Sequence, residues 1–98
     1  MPITDAVRQA LALDTLVLPA KPKILSIEPT DYIDHTGEEA IQVWVTIDED
    51  TPDSELTGKA RRQISMAIHD SLLARGVSLY PYLQFGKPSE LQELVTDA

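Results

Sequence analysis

The run AIQVWVTID, residues 40–48, decides the fold. Ile41, Val43, Val45 and Ile47 alternate with Gln42, Trp44 and Thr46, and a period of two in β-branched residues is the signature of a strand with one face in a core. Working outward, Lys23 to Glu28 reads as a preceding strand ended by Pro29, because proline lacks the donor a ladder needs. Asp34, His35, Thr36 and Gly37 lie between the two strands and have a turn composition that suits an antiparallel hairpin.

Downstream, Thr51 to Glu55 combines small oxygen-bearing caps, a proline and acids, which predicts a helix start. Leu56, Ala60, Ile64, Ala67, Ile68 and Leu72 then recur at helical spacing, and Gly76 supplies a left-handed exit. Val77 to Phe85 alternates again and predicts a third strand, with Pro81 marking an edge or a bulge. At the ends, Thr4 caps an expected helix over residues 4–13, Pro19 and Pro22 make residues 15–22 a connector, and Ser89 with Gln92 forms a capping box before Leu91, Leu94 and Val95.

The expected fold is therefore α+β in the order α-β-β-α-β-α, a single domain spanning 1–98, with helices on one face of a three-stranded, mainly antiparallel sheet. This order resembles that of the soluble metallochaperone-like domains of cation-efflux transporters and, more loosely, KH-like RNA-binding folds. The resemblance is one of order. The chain has no Gly-x-x-Gly between helices and only two histidines, His35 and His69, so it is assigned to neither family.

Ninety-eight residues suffice for one core without covalent staples. With no cysteine, no disulfide framework and no thiolate metal site can exist. The apolar runs are far shorter than the ~20 residues of a membrane span, and the first residues lack signal-peptide character, so a cytoplasmic protein with no membrane partner is expected. Sixteen acids against eight bases give a formal charge of −8, which opposes phosphate backbones and argues against a nucleic-acid partner. Ten of the acids lie between Glu28 and Glu55, a stretch with no lysine or arginine.

Among candidate sites, Asp48, Glu49, Asp50, Asp53 and Glu55 could gather oxygen ligands for a divalent cation, but neither register places the glycine and glutamate of an EF-hand loop. A solvated acidic cap explains them as well. His35 with Asp34, and His69 with Ser65 or Ser71, lack any nucleophile elbow, phosphate loop or HExxH pattern. No catalytic residue and no cofactor is expected. Lys59, Arg61 and Arg62 form a basic cluster suited to an acidic surface.

The most informative feature is the other side of the sheet. If the alternating aliphatics face the helices, Trp44, Tyr80 and Tyr82 point away from them. Unless the terminal helix or the connector over 15–22 covers that side, the leading expectation is a non-enzymatic protein-interaction module, a homodimer joined through these rings or the sheet edge and oriented by complementary charge between the acidic stretch and Lys59, Arg61 and Arg62. A second is an acidic regulatory partner that masks a basic protein such as a nuclease or toxin. A weaker third is a divalent-metal-binding domain or small enzyme.

Overall fold

The computed structural model describes residues 3–91. Its elements are α1 (Asp5–Ala10), β1 (Ile24–Ile33), β2 (Glu39–Ile47), a 3-10 turn (Asp53–Glu55), α2 (Gly58–Ala74) and β3 (Pro81–Gly86), followed by a helical turn over 88–91. The sheet order is β1-β2-β3, so the strand read first from the sequence is the central one. β1 pairs with it antiparallel and β3 parallel. A tight hairpin imposes the first orientation, while the crossover through α2 permits the second.

Ile41, Val43, Val45 and Ile47 are fully buried, together with Ile27 of β1 and Ala60, Ile64, Ile68 and Leu72 of α2. Val7, Ala10 and Leu11 complete this core from α1. Both helices thus lie on the aliphatic face. Ser71 fastens them, donating its hydroxyl to the Ala10 carbonyl at 2.7 Å.

Several boundaries differ from the sequence reading, each for a local reason. α1 ends at Ala10 rather than residue 13, although Thr4 caps it as expected, accepting from the Val7 amide. β1 does not stop at Pro29 but runs on to Ile33; it is an edge strand, where a missing N–H can face outward. The long helix starts at Gly58 under a Thr57 cap that accepts from the Ala60 amide, and Thr51 to Glu55 forms only the short 3-10 turn. β3 is shorter than expected and begins at Pro81, a first-residue position that proline tolerates. The last helical turn is closed by Glu90, which accepts from the Lys87 amide, with Pro88 at its first position. Ser89, expected as the cap, lies inside that turn and donates its amide and hydroxyl to Glu49, while Gln92, Leu94 and Val95 lie outside the described residues.

Candidate functional site

Strand alternation carries Ser26, Glu28, Thr30 and Tyr32 of β1, Ala40, Gln42, Trp44 and Thr46 of β2, and Tyr82 and Gln84 of β3 to the side opposite the core. The register sets them in rows: Tyr32 beside Ala40, Thr30 beside Gln42 and Tyr82, and Glu28 beside Trp44 and Gln84. Among the described residues, the buried side chains of α1 and α2 pack with Ile27 of β1 and with Ile41, Val43, Val45 and Ile47 of β2 in the aliphatic core. Among the described residues, one end of this second face meets the helical turn over 88–91. A Cβ on Gly86 would lie 2.9 Å from Leu91 Cδ2, which places Leu91 beside that glycine.

The rings on this face form one cluster. Tyr82 lies at the centre, 5.1 Å from Tyr32 and 4.8 Å from Tyr80 between ring centroids, at tilts of 56° and 57°. These are the offset and tilted geometries that ring quadrupoles favour. Ala40 is buried in the row it shares with Tyr32. Tyr80, 58% exposed, closes the edge of the sheet and meets His69 of α2 edge-on at 5.5 Å. Trp44 is half-buried, and its Nε1 donates to Thr30 Oγ1 at 3.0 Å.

Asp34 adjoins the cluster from the hairpin. One carboxylate oxygen accepts from the hydroxyl and amide of Thr36 and from the Glu38 amide, while the other accepts from the Tyr82 hydroxyl at 3.4 Å. The Thr36 hydroxyl, helped by the two amides and Tyr82, holds the Asp34 carboxyl below its usual range. Desolvation among its neighbours, and then the Asp34 charge, push the Tyr82 hydroxyl above its usual range. The pair is therefore an ionised carboxylate against a protonated phenol.

The expected site residues divide between the two layers. Trp44, Tyr80 and Tyr82 share the open face, while Lys59, Arg61 and Arg62 are exposed in the first turns of α2, on the other side. Arg61 is spent there on Phe85, its guanidinium carbon 5.6 Å from the ring centroid. The basic cluster and the rings are not one surface. Tyr32 and Thr30 were missed because β1 was expected to end at Pro29, while Asp34 was considered with His35 and not with the rings. The signal was present in Thr30, Tyr32 and Ile33, strand-forming residues that continue the alternation beyond the proline.

Four of the other candidates have partners within the chain. Asp48 pairs with Lys23 and Glu55 with Lys21, each at 3.9 Å. Glu49 accepts from the amide and hydroxyl of Ser89. Among the described residues, no three His, Asp or Glu side chains gather as a metal-binding group. Ser71 has its hydroxyl engaged by α1. A groove of about 910 Å³ runs along α2 beneath residues 15–19, lined by Leu16, Val17, Met66 and Ala74 together with Asp70 and Arg75. No described helix is long and apolar enough to cross a membrane. No family model, curated protein or solved structure matches this chain.

Proposed function

We propose that this chain is a non-enzymatic protein-interaction module, acting in the cytoplasm, whose binding surface is the open face of its sheet. The observation that carries the reading is the continuous aromatic cluster of Tyr32, Tyr82 and Tyr80, with Trp44 in the same face, on the side away from the aliphatic core, Tyr80 touching His69 of α2 at its edge. Tyrosine and tryptophan bring large contact area at a small cost in rotamer freedom, which is why they dominate protein interfaces. The cross-strand contacts hold the rings in place before a partner arrives, lowering the ordering cost of binding.

Self-association is the less favoured form of this reading. Two copies meeting through this face would bring together two sets of Glu28 and Asp34, and the strands supply no lysine or arginine to offset them. A different protein avoids that repulsion.

The test is the size of the native complex. The tagged chain at its natural level in host extract is run on a sizing column as wild type, as Trp44→Ala/Tyr82→Ala and as Met66→Ala/Leu73→Ala, the last pair exposed on α2. The wild type and the helix-side variant are expected above the monomer's 10.8 kDa, with the sheet-face variant falling to it. A monomeric wild type, or collapse of the helix-side variant alone, overturns the reading.

A further inference from the structure

We infer that the occupant of the open face is a cationic segment of the partner, an arginine-bearing stretch whose guanidinium groups stack on the exposed rings and pair with the carboxylates among them. This rests on the proposal that the face binds protein, and it adds the chemistry of what is bound.

The first observation is a segregation of charge by layer. No lysine or arginine occurs in residues 24–58 or 76–86, which contain all three strands and the hairpin loop. Arg8, Lys59, Arg61, Arg62 and Arg75 belong to the helices or the residue directly after them, while Lys21, Lys23 and Lys87 lie outside the strand bounds. On the ring side the sheet nevertheless carries Glu28, and the adjoining hairpin Asp34 and Glu38, whereas Asp31 and Glu39 alternate to the opposite side in the rows of Ile41 and Ile33. Among the described residues the ion pairs are Lys21–Glu55 and Lys23–Asp48, at the end of the sheet opposite the hairpin. The acids around the rings thus have no cation of their own layer to neutralise them.

The second observation is independent of charge. Glu28 is paired in register with Trp44, and Asp34 touches the Tyr82 hydroxyl. Asp34 therefore touches the ring cluster and Glu28 shares a register row with Trp44, while the most exposed rings of the cluster are Tyr32, 38%, and Tyr80, 58%. Carboxylate and aromatic face together match a guanidinium, which can stack through its plane while its N–H fork meets the acid. A lysine satisfies the charge but not the stacking. An anionic partner or a nucleic acid would meet the same carboxylates unpaired.

The experiment uses the full chain labelled with 15N and titrated with nonaarginine, nonalysine and nonaglutamate peptides. Nonaarginine is expected to shift the amides of residues 26–46 and 80–86 and the indole of Trp44, the chain's one tryptophan. It should bind at least threefold tighter than nonalysine, whereas nonaglutamate should leave the spectrum unchanged. Trp44→Ala/Tyr82→Ala should weaken nonaarginine at least tenfold. Glu28→Gln/Asp34→Asn, which keeps every ring, should do the same and remove most of the salt dependence. Shifts scattered over the helices, equal binding by the ring variant, or no binding at all would overturn the inference. If the face proves to bind a neutral partner or a second copy while nonaarginine leaves it unmoved, the inference fails and the interaction reading stands.

Discussion

Trp44 and Thr30 are joined across β1 and β2 by a hydrogen bond from the indole Nε1 to the threonine Oγ1, 3.0 Å long. The register pairs Trp44 with Glu28 and Thr30 with Gln42, so the bond is diagonal and draws the indole along the sheet toward the hairpin. It fixes the ring at a defined place on the face instead of leaving it free to swing.

Thr30→Val removes that acceptor at nearly constant shape. The exchange of one half-exposed bond for water should cost no more than about 1 kcal/mol of stability. The indole N–H resonance should move toward its solvated position and partner affinity should fall, because the ring must then be ordered on binding. Thermal denaturation with an NMR spectrum of the indole checks both.

The two faces of the sheet should respond oppositely to truncation. Ile64 is fully buried against β2's aliphatic row, and Ile64→Ala should cost about 2–5 kcal/mol, a large part of the total for a small domain. Tyr80→Ala removes an exposed rim ring and should cost well under half as much while weakening the partner complex. Urea unfolding followed by circular dichroism separates the two.

The ends of α2 give a backbone test. Thr57→Ala removes the cap on the Ala60 amide and should cost about 1 kcal/mol, whereas Ser54→Ala, exposed in the preceding turn, should stay within about 0.5 kcal/mol. Gly76 has φ of +74°, so Gly76→Ala should cost about 1 kcal/mol. Gly58 has no neighbour within 4 Å of where a Cβ would stand and lies in helical backbone. Gly58→Ala should therefore gain about 0.5 kcal/mol. Thermal midpoints of the four variants check the set.

The Asp34–Tyr82 contact should be lost at both ends of the pH scale. Asp34 titrates lower in the folded chain than unfolded, chiefly through the Thr36 hydroxyl. Its stabilisation is present above the ordinary aspartate range and is lost as pH falls through the depressed value. Tyr82 titrates higher when folded, through desolvation and the Asp34 charge. Its contribution is present below the ordinary tyrosine range and is lost as pH rises through the raised value. The Thr36 and Glu38 amide shifts should report the acid limb, and Asp34→Asn should flatten it.

The layer arrangement was legible because residues 40–48 and the stripe from Ala60 to Leu72 follow two clean periods, and both lie where those periods put them. Boundaries were less legible where tertiary position overrides local preference. Pro29 reads as a stop unless β1 is known to be an edge, and Thr51 competes with Thr57 as a cap until the chain's entry into α2 is fixed. The same error hid Thr30 and Tyr32, which join the rings through the extended half of β1. The separation of Lys59, Arg61 and Arg62 from the rings was implicit in the same alternation, which puts α2 and the rings on opposite faces of the sheet, although the two sets were read as one surface.

The most direct test of the open face as the binding surface is site-specific photocrosslinking in living host cells. A benzophenone amino acid replaces Gln42, between Thr30 and Tyr82 on that face, or Met66 on the outer side of α2. One discrete protein adduct from position 42, absent from position 66 and abolished by Trp44→Ala, is the predicted result. Adducts from position 66 with none from position 42 would contradict it.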